Sequence, residues 1–199
     1  MTKNFEQDID FLFEMGSVRF MERMWRRFLH DDFANLAEHH FRVFWIAMVI
    51  ASHEKGADSG KIAKMALMHD IAESRTGDVD YLARQYVERN EQLGIQDILH
   101  GTAVEKEFYA LWEEYETRTS LEAKIVKDAD NLDVDFELAE QAAKGSSLQG
   151  LKGEMRQAVA DTKLYTATAK KMFEQLKQAS PHAWHIKGRN RINSGDWRQ

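Results

Sequence analysis

The chain has 199 residues, of which 43% are apolar and 30% charged, and its net charge of −6 argues against a protein that coats nucleic acid. It contains no cysteine, which excludes disulfides, thiolate metal sites and a cysteine nucleophile. No run approaches the ~20 apolar residues that span a bilayer, and the N-terminus shows no stretch of signal-peptide type. We therefore expect one compact cytoplasmic domain with no membrane partner.

A single proline, Pro181, indicates an all-α fold, because long helices exclude proline from their interiors while sheets and loops use it in turns. In chain order, apolar residues at helical spacing predict helices over 5–23, 36–54, 61–73, 81–90, 98–116, 121–143 and 151–178. The second of these is apolar nearly all round and is predicted to be a buried, central helix. Gly16 is a possible break in the first helix, Ser59 is predicted to cap the third, and Gly94 to mark a turn.

An adjacent histidine and aspartate, His69 and Asp70, end an apolar stretch in which an unpaired carboxylate would be costly. Thirty residues upstream, His39 and His40 begin the most apolar helix; they point about 100° apart, so at most one of them can share a ligand position. Imidazole and carboxylate together suit a divalent first-row metal. The pattern predicts a metal-dependent hydrolase but does not decide whether His39 or His40 is the ligand. For His69 and Asp70 the alternative is a buried ion pair.

The predicted helix over 121–143 carries four aspartates within eight residues, namely Asp128, Asp130, Asp133 and Asp135. One of them could complete the metal site, and we expect most of the others to be solvated. Glu73 lies four residues after His69, on the same helical face, where a carboxylate could transfer a proton at the metal. The alternative for Glu73 is an exposed position on the helix surface.

These motifs resemble the HD-domain metal-dependent phosphohydrolases, and they are most similar to the 5′-deoxynucleotidase branch. The resemblance rests on segments 37–39, 69–73, 76–78 and 127–130, which recur in order, and it covers roughly 5–175. It implies a compact helical HD-domain fold with the metal site in the helix-bundle core. It also implies that one divalent ion (Mn, Co, Fe, Mg or Zn) is bound by His39, His69, Asp70 and Asp130, which selects His39 over His40. Glu73 would be the catalytic carboxylate.

The resemblance also suggests how a deoxynucleotide would be held. Asp78 would accept a hydrogen bond from the deoxyribose 3′-hydroxyl, and Trp25 would crowd the 2′ position. Bacterial deoxynucleotidases place arginine directly before this tryptophan and proline after it, whereas this chain has methionine and arginine there. Arg19 and Arg23 are the phosphate-binding candidates, because a guanidinium fork suits phosphate oxygens, and Lys127 is a weaker one.

The function predicted is hydrolysis of deoxynucleoside 5′-monophosphates to deoxynucleosides and phosphate. Two alternatives stay open: an HD hydrolase acting on a nucleoside triphosphate, an alarmone or a cyclic dinucleotide, and a non-catalytic nucleotide-binding protein that keeps the metal. We expect a single domain over 1–180. The basic, aromatic tail over 181–199 is predicted to pack on this domain or on a partner subunit, and the resemblance implies a homodimer.

Overall fold

The computed structural model describes residues 5–29, 33–146 and 151–188, and within these ranges the chain is helical, with one isolated bridge between Glu22 and Asn35. The α-helices are α1 (Glu6–Ser17), α2 (Arg26–Leu29), α3 (Leu36–His53), α4 (Ser59–Met68), α5 (Glu73–Thr76), α6 (Glu91–Leu99), α7 (Glu105–Thr117), α8 (Leu121–Ala143), α9 (Arg156–Lys163), α10 (Ala167–Leu176) and α11 (Ala183–Ile186). The all-α prediction is confirmed.

Three helices, α3, α4 and α8, meet at the centre of the fold and carry most of its fully buried apolar side chains. Val43 and Ile50 of α3 pack with Met65 of α4 and with Ile125 and Leu132 of α8, all with no exposed surface. Burying each such side chain contributes roughly 1.5–3 kcal/mol. This core therefore holds α3, α4 and α8 in one fixed arrangement.

The entry to α3 is determined by its sequence. Asn35 caps the helix by accepting a hydrogen bond from the Glu38 backbone N–H, while the Glu38 carboxylate accepts one from the Asn35 N–H. This reciprocal pair satisfies two of the helix N–H groups that have no partner within the helix. The first turn of α3, which carries His39, is thereby fixed.

One face of α3 is exposed, contrary to our prediction of a helix buried all round. Phe41, Trp45 and Val49, spaced four residues apart, are 65%, 55% and 45% exposed. Residues at this spacing form a continuous stripe along a helix. The helix is central, but its outer face is an apolar surface.

Several predicted helix boundaries were wrong in the middle of the chain. The helix predicted over 61–73 is capped by Asp58 rather than Ser59 and ends at Met68. The helix predicted over 81–90 is reduced to a short 3₁₀ turn, Ala83–Gln85. The helix predicted over 98–116 is divided between α6 and α7, which are separated at Gly101 (φ 76°), whereas Gly94 lies buried inside α6.

The ends of the chain also differ from the prediction. The first predicted helix ends at Ser17 and continues as a 3₁₀ turn, Val18–Phe20, and the helix predicted over 151–178 is divided where Thr166 caps α10. Of the predicted tail, the structure describes α11, in which Trp184 is 79% exposed, and the part beyond residue 188 lies outside the described residues. The packing of the tail stays a prediction. No described helix is long and apolar enough to cross a bilayer.

Candidate metal centre and active-site cavity

Four side chains from three parts of the chain meet at the centre of the helical core. The first turn of α3 supplies His39, the turn after α4 supplies His69 and Asp70, and α8 supplies Asp130. One ligand atom from each lies within 4.8 Å of the others. The structure thus brings together the four residues that the resemblance assigned to the metal.

The distances between these atoms fit a shared divalent ion. His39 Nε2 lies 3.2 Å from His69 Nε2, 3.5 Å from an Asp70 carboxylate oxygen and 3.4 Å from an Asp130 oxygen. Ligand atoms about 2.1 Å from one ion are separated by about 3.0–3.4 Å at octahedral or tetrahedral angles. The donor set, two imidazoles and two carboxylates, suits a first-row divalent metal or magnesium.

Both imidazoles are oriented by hydrogen bonds on the side away from the cluster. His69 Nδ1 donates to the backbone carbonyl of Ala66 at 2.8 Å, and His39 Nδ1 donates to the Asp133 carboxylate at 2.6 Å. Because a carbonyl or carboxylate oxygen only accepts, each Nδ1 carries a proton, and Nε2 is the ring nitrogen that faces the cluster. This is the orientation that metal binding requires.

The electrostatics of the cluster also favour a cation. Burial and Arg23 oppose protonation of His39, but hydrogen bonds with Asp130, Asp133 and Asp70 raise its pKa to about 10. Burial disfavours charge on Asp70, yet the neighbouring histidines hold its pKa well below the usual value. The carboxylates thus stay ionised around a site that attracts positive charge, and a bound divalent cation would replace the proton on His39 Nε2.

The aspartates of α8 are not mostly solvated, so that prediction was wrong. Asp133, 1% exposed, holds His39 and also accepts a hydrogen bond from Arg23 at 3.0 Å. Asp128, fully buried, accepts hydrogen bonds from the backbone N–H groups of Tyr165 and Thr166 at 2.7 and 2.8 Å. Asp128 therefore fixes the segment between α9 and α10, while Asp133 supports the candidate metal centre.

Glu73, the first residue of α5, is 5% exposed and lines the cavity above the cluster, which excludes the alternative of an exposed surface position. Arg89 donates to its carboxylate at 2.9 Å and to the Gly77 carbonyl at 2.9 Å. Burial and the charges of Asp70 and Asp78 raise the pKa of Glu73 to about 9, and Arg89 offsets part of that rise. A carboxyl group held in this way can give or accept a proton near neutral pH.

A cavity of about 600 Å³ opens above the cluster, within the usual size range of small-molecule sites. Its walls carry charges of both signs. The basic residues are Arg23, Arg84, Arg89, Arg118, Lys127, Arg156 and Lys163, and the acidic ones are Asp70, Glu73, Asp78, Asp80, Glu91, Glu116 and Asp130. An anionic ligand with polar groups elsewhere fits such a lining better than an apolar one does.

Three of the four predicted substrate contacts line this cavity: Arg23, Trp25 and Asp78. Trp25 packs against Tyr81, with ring centroids 5.8 Å apart, and an Asp78 carboxylate oxygen accepts a hydrogen bond from the Met24 backbone N–H at 2.7 Å. The segment before α2 and the turn after α5 are therefore joined at one edge of the cavity. Arg23 is 7% exposed and committed to Asp133.

The structure does not bring Arg19 to this cavity. Arg19 is exposed, its guanidinium lies 4.7 Å from the ring centre of Phe20, and it lines a separate surface cavity with Arg42 and Trp45. The predicted phosphate contact therefore has no support from the position of Arg19. Lys127, the weaker candidate, does line the cavity and donates to Asp130 at 2.7 Å.

Several residues of the site are not predicted by the sequence pattern, among them Asp133, Arg89 and Arg118. Asp133 carried a signal, since it lies three residues after Asp130 and so on the same face of α8. Arg89 and Arg118 carried none, because they reach the cavity from irregular segments whose path depends on tertiary contacts.

A family model described as the HD domain matches residues 15–172. The chain belongs to the HD-domain family. The HD-domain resemblance drawn from the motifs, and the fold that it implied, are confirmed.

Curated relatives of this HD domain carry the name 5′-deoxynucleotidase HDDC2. The protein from Danio rerio is 33% identical over 133 residues, which is 64% of this chain and 64% of that relative. The protein from Homo sapiens is 34% identical over 111 residues, or 53% of each chain. The chain thus spans between about half and two-thirds of the length of these relatives, and the similarity is to the branch that the motifs indicated.

Solved structures share the fold. A conserved hypothetical protein from Pyrococcus furiosus superposes with a TM-score of 0.74 at 24% identity, covering 86% of this chain and 99% of that one. A protein from Magnetospirillum magnetotacticum, described as a predicted metal-dependent phosphohydrolase, gives a TM-score of 0.67 at 20% identity, covering 87% and 93%. At these identities the likeness establishes the helical HD-domain architecture.

Proposed function

We propose that this HD domain is a metal-dependent phosphomonoester hydrolase, and specifically a 5′-deoxynucleotidase that releases phosphate from deoxynucleoside 5′-monophosphates. The observation that carries the proposal is the cluster of His39, His69, Asp70 and Asp130 at the base of a cavity that also contains Glu73. The names of the curated relatives support the choice of substrate. The cluster and Glu73 would supply the hydrolytic chemistry, and the cavity provides space for an anionic substrate.

In this proposal the four clustered side chains hold one divalent ion. When bound there, such an ion supplies Lewis-acid chemistry: it polarises a phosphoryl group, offsets its negative charge and lowers the pKa of a water molecule. Asp133 and the Ala66 carbonyl keep the two imidazoles in the orientation needed for binding. The site residues are thus set before substrate arrives, which reduces the cost of reaching the transition state.

In this proposal Glu73 transfers a proton during hydrolysis. Its burial and the nearby carboxylates favour the protonated form, while Arg89 favours the ionised form, so the group can change its charge during turnover. It lines the same cavity as Asp70, one of the four clustered residues. A carboxyl group in this position contributes to catalysis by proton transfer.

Trp25 and Asp78 are the proposed sugar contacts, with Asp78 accepting a hydrogen bond from the 3′-hydroxyl and Trp25 crowding the 2′ position. Their shared place on the cavity edge supports this proposal. Arg23 would act near the phosphate only through its remaining donors, because one of them is held by Asp133. The substrate would lie with its phosphate towards the cluster and its sugar towards this edge.

The experiment is a phosphate-release assay on metal-stripped protein, with a panel of 5′-deoxynucleotides and ribonucleotides and with manganese, cobalt or magnesium added back. We expect release that depends on the metal, faster from deoxynucleoside monophosphates than from ribonucleotides. Release only from triphosphates, alarmones or cyclic dinucleotides would replace the proposed substrate. No release from any phosphoester by metal-loaded protein would contradict enzymatic function altogether.

We further propose a homodimer located in the cytoplasm with no nucleic-acid partner, and a single domain over 1–180. The apolar stripe of Phe41, Trp45 and Val49 supports a subunit interface, since exposed apolar surfaces of this kind commonly mark interaction sites. The acidic net charge supports the absence of a nucleic-acid partner.

A further inference from the structure

Three buried side-chain donors that line the metal cavity have no hydrogen-bond partner within the described residues: the Tyr115 hydroxyl, Arg118 Nη1 and Asn131 Nδ2. Leaving a buried donor unsatisfied costs about as much as a hydrogen bond contributes, so native structures rarely retain one without a purpose. Three such donors around one cavity indicate a ligand that accepts hydrogen bonds.

Arg118 occupies an unusual backbone position. It follows α7 in the left-handed conformation, with φ 52°, and is the non-glycine residue with positive φ among those described. Glycine is the usual residue at such a helix end, because a side chain there is disfavoured. Arg118 therefore ends α7 in a conformation that is less favourable for arginine than for glycine.

The side chain of Arg118 is directed along the cavity wall. Its guanidinium carbon lies 3.6 Å from the centre of the Tyr115 ring, and that ring packs edge-on against His69 at 5.6 Å between centroids. Its nearest carboxylate contact is to Glu116, at 3.6 Å, which is too long for a strong hydrogen bond. Arg118 is thus held in place by stacking, while its buried Nη1 has no acceptor among the described residues.

Other basic groups near the cluster are already engaged. Arg23 donates to Asp133 at 3.0 Å, Arg89 to Glu73 at 2.9 Å and Lys127 to Asp130 at 2.7 Å. Arg118 differs from these because Nη1 is buried and has no acceptor among the described residues. Asn131, which also lines the cavity, is the residue directly after Asp130 on α8, and its backbone carbonyl accepts a hydrogen bond from Arg156 at 2.6 Å.

We propose that Arg118, together with Tyr115 and Asn131, binds the phosphoryl oxygens of the substrate beside the metal cluster. The inference rests on the proposed function in that it takes the ligand to be a phosphomonoester. A phosphate offers several acceptor oxygens and no strong donor, which matches a set of three donors. The guanidinium fork suits two of those oxygens.

The test is isothermal titration of inorganic phosphate into manganese-loaded wild-type protein and the variant Arg118→Gly. Glycine suits the left-handed backbone, so this variant removes the guanidinium without adding strain. A charge-assisted hydrogen bond of the usual strength predicts phosphate binding about 10- to 100-fold weaker in the variant. In the release assay, the same variant should raise KM for a deoxynucleotide by a similar factor.

Two further variants separate a contact with phosphate from a structural or general charge effect. Tyr115→Phe removes the hydroxyl alone and keeps the ring between His69 and Arg118; we expect phosphate binding weaker by about 2- to 10-fold. Lys106→Ala removes a positive charge from an exposed side chain of α7 that does not line this cavity. We expect less than a twofold change for this control, and a loss equal to that of Arg118→Gly would show that only the net charge matters.

The outcomes distinguish this inference from the proposed function. Wild-type affinity for phosphate in both Arg118→Gly and Tyr115→Phe, or no phosphate binding by the wild type, would overturn the inference. If wild-type protein binds phosphate through Arg118 but releases none from any nucleoside monophosphate, the proposed function fails while the phosphate site stands. If deoxynucleotides are hydrolysed and Arg118→Gly changes neither KM nor phosphate affinity, the proposed function stands and the assignment of Arg118 to the phosphate fails.

Discussion

The base and the wall of the cavity are built in different ways. At the base, His39, His69 and Asp130 come from or next to the long central helices, and each histidine has a fixed hydrogen-bond partner. A large part of the wall is formed by short helices and irregular segments between α4 and α8, which carry Glu73, Arg89 and Arg118. The comparison suggests that the core fixes metal binding, while the irregular segments set proton transfer and substrate recognition.

The largest effect should come from removing a ligand at the base. In Asp70→Asn one carboxylate charge is lost from the cluster, and we expect loss of the bound metal and of measurable phosphate release, an effect above the ~100-fold typical of outer hydrogen-bond partners. Metal content by elemental analysis and the release assay measure it. Asp97→Asn, at an exposed position on α6, is the control and should behave as the wild type. Full metal occupancy in Asp70→Asn would contradict the assignment.

A smaller effect is expected on the wall, where Glu73→Gln keeps the shape of the side chain but removes its ability to transfer a proton. We expect kcat to fall by about 10²- to 10⁴-fold with metal content and folding unchanged. Glu91→Gln, which also lines the cavity and pairs with Arg89, is the matched control and should retain kcat within a few fold. Unchanged turnover in Glu73→Gln would remove Glu73 from the mechanism.

The smallest effect is expected for Asp133, which orients His39 at the base of the cavity. Asp128, the other buried aspartate of α8, is the comparison because it does not contact His39. Asp133→Asn weakens the orientation of His39, and we expect metal affinity to fall about 10- to 100-fold. Asp128→Asn disturbs only the hydrogen bonds to Tyr165 and Thr166, so it should lower the unfolding temperature and leave metal affinity of the folded protein unchanged. Metal titration and thermal unfolding of both variants measure the difference. Equal metal affinities in the two variants would show that Asp133 does not support the site.

The sequence predicted the base of the cavity better than its wall, for a physical reason. The helices α3 and α8 have long apolar patterns, so their existence and the residues on their inner faces follow from local periodicity. The pair His69 and Asp70 stands at the end of such a pattern and carries a recognisable motif. Even here the partner of His39 was missed, because periodicity does not tell a solvated aspartate from one paired across two helices.

The wall depended on contacts that a linear pattern does not encode. The segment over 81–90 has helical spacing, yet it is mostly irregular and is tied to distant parts of the chain: Asp80, just before it, accepts a hydrogen bond from Arg27, and Arg89 donates one to Glu73. Arg118 ends α7 in the left-handed conformation, where glycine is the usual residue. In both places the backbone conformation differs from the one that the local sequence favours, and the residues line the cavity.

The spacing of Asp130 and Asp133 couples the candidate metal centre to the register of two helices. These residues lie about one turn apart on α8, and both contact His39 of α3, one at each ring nitrogen. A slip of α8 by one turn, about 5.4 Å, would break both contacts together. A divalent ion bound by α3 and α8 would therefore stabilise this register by a free energy that grows with the logarithm of the ratio of its concentration to Kd, so that metal supply would also govern how firmly these two helices stay aligned.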